Sequence, residues 1–521
     1  MPDPEVIIAG GGPVGLGLAI DLAIRGVATT VLERSSALHD IPKGQNLTQR
    51  TGEHFRAWGV TAAIQAATPI PRSFGNAGVV TYGQLLSDYS YDWFQRSKVG
   101  AYYFAQNERL PQYRTEAVLR ARAAALPQLR FIEGARLTGL AQDGSGVTAS
   151  YECDGQTHHI TAPYAVGCDG ARSTTRGLVG IENEIDHEGP KMALLVFRSR
   201  ALHALLERYP GKSIYNVMNP AMDGYWQFLG RVDLDGGWFF HSPVPAGTTR
   251  DNFDFKRFLY DMAGAEFALE FEHIGFWDLR ISHARDYRAG RVFIAGDACH
   301  SHPPYGGYGV NTGLEDARNL GWKLDAALKG WAGPGLLDSY SAERHPVFQS
   351  VNRVFITRMI SDFRDFSAAY APERNKDAFE AAWAQRASGG NADVTEFLPH
   401  YAGSPIVMGE PGAVSGARGK HSFAARAGHH LAPQPMPDGG DLWDALGLGF
   451  TLLTATEAGA DGFAQAAAAL GVPLTRVRLP ARNAYGCEAI LVRPDQFIAW
   501  AGPMAGADAA SILARAIGRD A

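Results

Sequence analysis

Gly10-Gly11-Gly12-Pro13-Val14-Gly15 closes the apolar run 6–9 and opens a stretch in which Leu16, Ala19, Ile20, Ala23 and Ile24 recur at helical spacing. Gly26 ends that helix, and residues 27–32 read as a second buried strand closed by Glu33. Strand, Gly-x-Gly-x-x-Gly turn, helix, strand and terminal acid make a β-α-β start. Gly10 permits the tight turn, Gly12 lets a pyrophosphate approach the backbone, and Gly15 lets the helix pack on the strand. Pro13 suits the first helical turn, where no N–H is needed. The free N–H groups of that turn face the phosphates. Glu33 can accept both ribose hydroxyl hydrogens of an adenosine. The candidate dinucleotide contacts are therefore Gly10, Gly12, Pro13, Val14, Gly15, Glu33 and its neighbour Arg34. The turn alone does not choose between NAD and FAD.

A chain of 521 residues is too long for one ordinary core, so two or three domains are expected. A net charge of -6 gives no electrostatic reason to bind nucleic acid or an anionic membrane. The four cysteines form no C-x-x-C pair, which argues against a disulfide scaffold and a dithiol redox centre. The opening Met1-Pro-Asp-Pro enters a strand without a basic region or a cleavable apolar segment. Asp21 and Arg25 interrupt the best candidate for an apolar span of about 20 residues, so a cytoplasmic protein is expected.

Between about 180 and 280 the segments 192–197, 225–229 and 238–241 are short, aromatic and separated by Gly, Asp and Pro. They predict an antiparallel sheet whose aromatic faces can line a pocket. Helical spacing returns at Leu314, Ala317, Leu320, Leu324 and Leu328, with Gly330 past the end. A Gly/Pro-rich passage over 403–440 reads as a linker into a last unit, with strands at 450–453, 489–492 and 497–501 and an Ala-rich helix near 463–470.

Two distant segments bear on the nucleotide. In Arg291-Val-Phe-Ile-Ala-Gly-Asp297-Ala-Cys-His300 an apolar strand ends at Asp297, which can hydrogen-bond a ribityl hydroxyl. The loop Pro303-Pro304-Tyr-Gly306-Gly307-Tyr-Gly309-Val310-Asn311 follows. Backbone N–H groups near Gly309, Val310 and Asn311, at a helix start, can hold the negative charge of a reduced flavin. Gly167-Cys-Asp169-Gly170-Ala-Arg172-Ser-Thr-Thr-Arg176 again follows an apolar strand. With these three segments in this order, the chain resembles the single-component FAD-dependent aromatic hydroxylases of the para-hydroxybenzoate and phenol hydroxylase kind. Arg50-Thr51 before a helix, Gln112 with Glu116 and Leu119, and 336–340 with Glu343, Arg344 and Pro346 agree with it. The tail is similar to the thioredoxin-like C-terminal domain of the longer phenol and polyketide hydroxylases, without its Cys-x-x-Cys.

The resemblance implies an α/β fold: a Rossmann-like, glutathione-reductase-type FAD-binding domain, an antiparallel-sheet substrate domain and a thioredoxin-like C-terminal domain. The division it implies is 1–177 and 281–402 for FAD and a helical connector, 178–280 for the substrate sheet and 403–521 for the tail. It implies FAD as cofactor, NADPH or NADH as transient reductant, O2 as co-substrate, and hydroxylation of a phenolic or polycyclic aromatic substrate through a flavin C4a-hydroperoxide. A homodimer is the assembly it suggests. Pro303 and Pro304 are expected against flavin or substrate, Gly307 in the same loop, and Asp169 beside the cofactor. Arg172 and Arg176 either support their segment or meet a phosphate. Where many relatives have Pro-Arg-Ala, this chain has Pro42-Lys43-Gly44, and Lys43 keeps the charge without the bidentate fork.

Tyr215, Tyr225 and His241 are the candidates for a catalytic base. Tyr215, Tyr225, Trp226, Trp238 and Phe240 are each either pocket lining or core. Cys299-His300-Ser-His302 has no further carboxylate or histidine to complete a metal site, so no metal is expected. The same oxygen chemistry on a ketone or alkene (Baeyer–Villiger oxygenation or epoxidation) and a flavoprotein that only holds an unstable intermediate are the alternatives. A halogenase lacks its Trp-x-Trp-x-Ile-Pro run here, and a disulfide reductase lacks its cysteine pair.

Overall fold

The computed structural model describes residues 3–75, 77–390, 392–436, 439–457 and 459–519. Met1 and Pro2 of the opening stretch, and Pro437 and Asp438 of the Gly/Pro-rich passage, lie outside the described residues.

The opening motif folds as read: strand Val6–Ala9, helix Pro13–Ile24 and strand Thr29–Glu33, the last beginning two residues later than expected. These strands centre a six-stranded sheet, in the order Arg288–Ala289, Val292–Ile294, Tyr164–Gly167, Val6–Ala9, Thr29–Glu33, Leu129–Glu133. All neighbours pair in parallel except the outer Arg288–Ala289 strand. The residues of Val6–Ala9, Tyr164–Gly167 and Val292–Ile294 are almost wholly buried, as expected of inner strands of a parallel sheet covered on both faces. The register places Ala9 beside both Leu32 and Gly167, and Gly167 beside Ile294. The carboxyl ends of four strands therefore line up, and the three fingerprint segments leave from one edge of the sheet. A second layer, the antiparallel strands Arg136–Gln142, Val147–Cys153 and Gln156–Ala162, is the usual companion of such a sheet in a glutathione-reductase-type domain.

The aromatic segments form an eight-stranded sheet, ordered His300–Ser301, Glu270–Ala284, Asn183–Arg198, Gly237–Pro243, Gln227–Arg231, Ile214–Met218, Gly78–Tyr82, Ser90–Trp93. It is antiparallel except where Ile214–Met218 meets Gly78–Tyr82 in parallel. The last two strands come from within 1–177, a pairing that hydrophobic periodicity does not reveal because it depends on a partner far along the chain. One face of the sheet is sealed by Arg200–Leu205 and Phe255–Ala263 around Leu202 and Leu259. The other faces the FAD-type domain and the helices after residue 339, with Trp226, Tyr305 and Phe363 in one stack.

In the tail, Phe450–Thr454, Ala489–Val492 and Ile498–Gly502 appear as expected, and Leu474–Arg478 is an additional strand. The order 474–478, 450–454, 489–492, 498–502, with only the first pair parallel, is that of a thioredoxin-like β-α-β, β-β-α unit. Passage 403–440 is not a free linker: Ile406 and Leu431 are fully buried, and the Leu431 N–H donates to the Gln496 carbonyl. The tail docks through a buried ion cluster in which Arg493 and Lys323 both bind Glu343 and Arg493 also binds Asp495. These cations hold the Glu343 carboxyl well below its ordinary value despite burial. Among the described residues no helix is long and apolar enough to cross a membrane.

Candidate functional site

Gly10 has φ +107°, and a Cβ there would collide with the Cys168 carbonyl, so the turn and the Asp-Gly segment press directly together. A Cβ on Gly15 would collide with the Gly10 carbonyl oxygen. Gly12 differs: its φ of -74° suits any residue, and nothing lies within 4 Å of where its Cβ would be. Its openness has no packing explanation and suits a ligand lying on the backbone. The Val14 side chain is a spacer, fitting between Gly296 and Gly313 at 2.9 and 2.7 Å from their ideal Cβ positions. Only its backbone is left to serve a phosphate. Glu33 ends its strand with one carboxylate oxygen accepting from Gly11 N–H at 2.6 Å and the other from Ser35 N–H at 2.7 Å. Each oxygen keeps a lone pair for a ribose hydroxyl. Arg34 is exposed, with no printed contact to the turn.

Asp169 does not turn its side chain to this site. Its carboxylate accepts from Ser173 Oγ at 2.5 Å and from Thr175 N–H at 2.8 Å, so it braces the start of the helix Thr174–Leu178. Only its backbone N–H lies against Gly10. Arg176 supports the segment, donating to the Ala298 and Ala171 carbonyls at 2.7 and 3.0 Å, while Arg172 is exposed.

Asp297 is accessible at its surface, yet desolvation by the surrounding protein raises its carboxyl above the ordinary value, with His300 and Lys43 partly offsetting this. A group that is both accessible and desolvated lines an enclosed cleft. Lys43 is exposed and close enough to act on the Asp297 charge, and a Cβ on Gly44 would lie 3.3 Å from Val310 Cγ1 and 3.9 Å from Gln112 Oε1. Gln112 Nε2 donates to Glu116 at 2.7 Å. Helix Gly309–Leu328 begins at Gly309, which places the unpaired N–H groups of its first turn at this wall. The Asn311 side chain is fully engaged, accepting from Thr48 N–H at 2.8 Å and donating to the Asn46 and Gly307 carbonyls at 2.7 and 2.6 Å. It fixes the segment 46–48 against the loop, and only its backbone can reach a ligand. Arg50 and Thr51 lie inside helix Gln49–Ala57, not before it, because Thr48 is the N-cap.

Gln45 follows the Pro42-Lys43-Gly44 stretch, and no sequence motif marks its neighbour Asn46. Both are buried, and neither amide has a protein partner at either atom. A Cβ on Gly307, at φ +65°, would lie 2.8 Å from Asn46 Nδ2, so the bare backbone packs closely on that amide. Buried amides rarely stay unpaired in a native protein, so this wall fits a flat heterocycle that brings its own donors and acceptors. The open backbone at Gly12, the free lone pairs of Glu33, cleft-lining Asp297 and the orphaned amides together fit FAD from adenosine to isoalloxazine.

The loop before this helix is shaped from beneath. Pro303 is buried and Pro304 half-buried. His300 Nε2–H donates to Asp316 Oδ2 (2.8 Å), and the ring stacks on Phe348 at 4.8 Å. Asp316 in turn binds Arg344 at 2.6 Å. His302 Nδ1 faces the Pro303 carbonyl at 2.8 Å, and burial lowers its pKa to about 4. Among the described residues no three His, Cys, Asp or Glu side chains gather as metal ligands.

Of the three base candidates, Tyr215 and His241 separate by strand parity. Tyr215 lies on the sealed face with Trp238 and Phe240, its hydroxyl donating to the Lys212 carbonyl at 2.8 Å and accepting from Arg231 at 3.2 Å. It belongs to the core. His241 is in register with Phe228, which is in register with Asn216, on the flavin-facing side. Its Nδ1 accepts from Trp277 Nε1–H at 3.3 Å, which puts the proton of the neutral ring on Nε2. Burial lowers its pKa to about 4, so the neutral ring presents Nε2–H as a donor. Tyr225 shares a 2.9 Å hydrogen bond with His187 Nε2 and lies beside buried Trp226.

Residues 3–354 match the family model described as an FAD binding domain, and residues 426–519 match that of the aromatic-ring hydroxylase C-terminal domain. The chain is 35% identical to 12-dehydrotetracycline 5-monooxygenase/anhydrotetracycline 6-monooxygenase of Streptomyces rimosus subsp. rimosus, over 67% of this chain and 68% of that one. It is 30% identical to 4-methyl-5-nitrocatechol 5-monooxygenase of a Burkholderia species, over 96% and 94% of the two chains. The crystal structure of a ternary complex of aklavinone-11 hydroxylase with FAD and aklavinone superposes with a TM-score of 0.82 at 26% identity, covering 100% of both chains.

Proposed function

Since this chain belongs to the FAD-binding aromatic-ring hydroxylases and is an FAD-dependent monooxygenase, we propose that it hydroxylates a phenolic or polycyclic aromatic substrate with NAD(P)H and O2. The observation that carries this reading is that three fingerprint segments leaving one sheet edge meet the aromatic face of the substrate sheet. When bound, FAD supplies the redox chemistry: it accepts electrons from a nicotinamide and activates O2 for transfer of one oxygen atom.

The protein's own residues bind, orient and exclude water. Backbone N–H groups of the Gly10–Gly15 turn hold the pyrophosphate, Glu33 the adenosine ribose and Asp297 the ribityl chain. Gln45 and Asn46 pair with the ring system. The first-turn N–H groups at Gly309, Val310 and Asn311 favour negative charge on its pyrimidine side. Pro303 and Pro304 present a rigid surface with few donors, and Phe228, Phe239 and Trp277 keep water from the reacting ring. His241 Nε2–H donates to a substrate oxygen, and Tyr225 with His187 is the pair positioned to take up a phenol proton. No second dinucleotide motif is present, so the nicotinamide binds transiently. The domains of this enzyme are 1–177 and 281–402 for FAD and the helical connector, 178–280 for the substrate sheet, which 78–93 joins, and 403–521 for the tail. The enzyme works as a homodimer in the cytoplasm.

A panel of phenols, with NADPH and NADH compared, tests this. A substrate should accelerate nicotinamide oxidation and yield a ring-hydroxylated product with little free peroxide. A product with oxygen inserted beside a carbonyl would move the assignment to the Baeyer–Villiger alternative. FAD-loaded enzyme that no phenol stimulates would sink the hydroxylase reading.

A further inference from the structure

On the flavin-facing side of the substrate sheet lies a cation that the protein does not neutralise. Arg109 ends the short strand Glu108–Arg109, in register with Asn46 of the cofactor wall. Its side chain leaves that wall and crosses to the sheet, where Nη2 donates to the Arg231 carbonyl at 3.0 Å. A Cβ on Gly230 would lie 2.9 Å from Nη2 and would overlap the Phe239 ring, so the missing side chain at 230 gives the guanidinium its place. Arg109 is 2% exposed and its Nε has no partner.

Four other buried arginines of this chain meet a carboxylate: Arg344 meets Asp316, Arg493 meets Glu343, and Arg25 and Arg318 meet Asp21, whereas Arg96 and Arg231 donate to the Gly306 and Lys212 carbonyls. Arg109 meets no carboxylate among the described residues, and burial without a counter-charge lowers its pKa to about 9. A purely structural role is hard to reconcile with this. One carbonyl uses a single donor of five, and an isolated buried charge costs several kcal/mol where an apolar side chain would cost none. Nearby stands a second unmet group. Asn216 is in register with Phe228, two residues from Gly230 and so on the same face, and it is fully buried with both amide atoms unpartnered.

We propose that Arg109 and Asn216 form the substrate-recognition subsite for an anionic oxygen on the aromatic ring system, a phenolate, enolate or carboxylate. The proposal rests on the hydroxylase reading above. The guanidinium supplies the counter-charge and the amide a further hydrogen bond, between the cofactor wall on one side and Phe228 and Phe239 on the other. Charge-assisted pairing in a site closed to water is strong and directional, so this subsite selects ionised over neutral rings and fixes which edge faces the flavin.

The test uses the FAD-loaded full chain and two probes of similar size: 4-nitrocatechol, which the nitro group makes anionic near neutral pH, and catechol, which stays neutral. Binding is followed by the flavin spectrum and by the visible band of the nitrocatecholate. Arg109→Gln keeps a donor for the Arg231 carbonyl but removes the charge. It should weaken nitrocatechol binding about tenfold or more, weaken catechol by less than about threefold, and shift bound nitrocatechol towards its protonated band. Arg109→Lys should keep the preference and the anionic band. Equal weakening of both probes, or an unchanged nitrocatechol affinity in Arg109→Gln, overturns the proposal and leaves the hydroxylase reading standing. So does loss of FAD from both Arg109 variants, which would place the side chain in the cofactor site. Wild-type holoenzyme that binds neither probe and responds to no phenol overturns both.

Discussion

Gly12→Ala separates a cofactor contact from a packing requirement. The ideal Cβ at Gly12 meets no atom within 4 Å, and the backbone there is already in a conformation alanine adopts freely. In the FAD-free chain the substitution gains about 0.4–1 kcal/mol from the unfolded state and loses a similar amount because alanine is a poorer helix cap than glycine. Net stability should stay within about 1 kcal/mol, which limits the shift of the apoprotein melting midpoint to about 4 °C. The cofactor meets a different situation, because the methyl occupies the space where a pyrophosphate must touch the turn. Losing two charge-assisted hydrogen bonds at about 1.5–3 kcal/mol each costs about 3–6 kcal/mol, roughly a hundredfold to ten-thousandfold in affinity. The assay is FAD titration of the apoprotein by fluorescence quenching, beside thermal unfolding of the same FAD-free sample. Gly15→Ala is the control: its Cβ meets the Gly10 carbonyl inside the protein, so it should lower apoprotein stability as well. A Gly12→Ala protein with wild-type FAD affinity would refute the placement of the pyrophosphate. One that loses FAD only because it no longer folds would refute the claim that this space belongs to a ligand.

Other outcomes follow from burial and charge. The Asp297 carboxyl is raised in the folded chain, so its contribution to stability is full below the unfolded pKa and lost as pH rises through the folded one. Asp297→Asn should therefore stabilise FAD-free protein at neutral pH in denaturant titrations while reducing FAD retained on purification; full retention would remove Asp297 from the site. Tyr215→Phe should cost about 1–2 kcal/mol through its two lost hydrogen bonds and leave turnover per bound FAD unchanged, whereas a collapse in turnover would return Tyr215 to the active site. Burial raises Asp393 from 3.8 to about 6, and its carboxylate accepts from Trp93 Nε1–H at 2.7 Å. The difference in tryptophan emission between wild type and Asp393→Asn should titrate near pH 6, and the variant should be the more stable protein above that pH. A difference spectrum flat across this range would contradict the assignment.

The motifs that work through contiguous backbone were legible in the chain: the Gly10–Gly15 turn, the strand ends at Glu33 and Asp297, and the Pro-Gly loop leading into the helix at Gly309. Their chemistry lies in N–H groups and strand ends that local sequence dictates. Side-chain roles were less legible. Asp169 and Asn311 stand at motif positions and lie at the site, yet their side chains brace neighbouring segments and leave only backbone to face a ligand.

Asn46, Arg109 and Asn216 carry no motif. An arginine three residues before Gln112 reads as a surface charge until strand Glu108–Arg109 is paired with Asn46–Leu47 and buried against Gly230. Tyr215 and Asn216 are adjacent in sequence and face opposite sides of one strand, so a single step of register decides which is core and which is pocket. The sequence by itself determined the nucleotide-binding turn and the strand ends at Glu33 and Asp297, because these depend on local periodicity and backbone freedom. Tertiary structure alone decided which polar groups were left buried without partners, because that depends on strands at 78–93 and 108–109 meeting residues more than a hundred positions away.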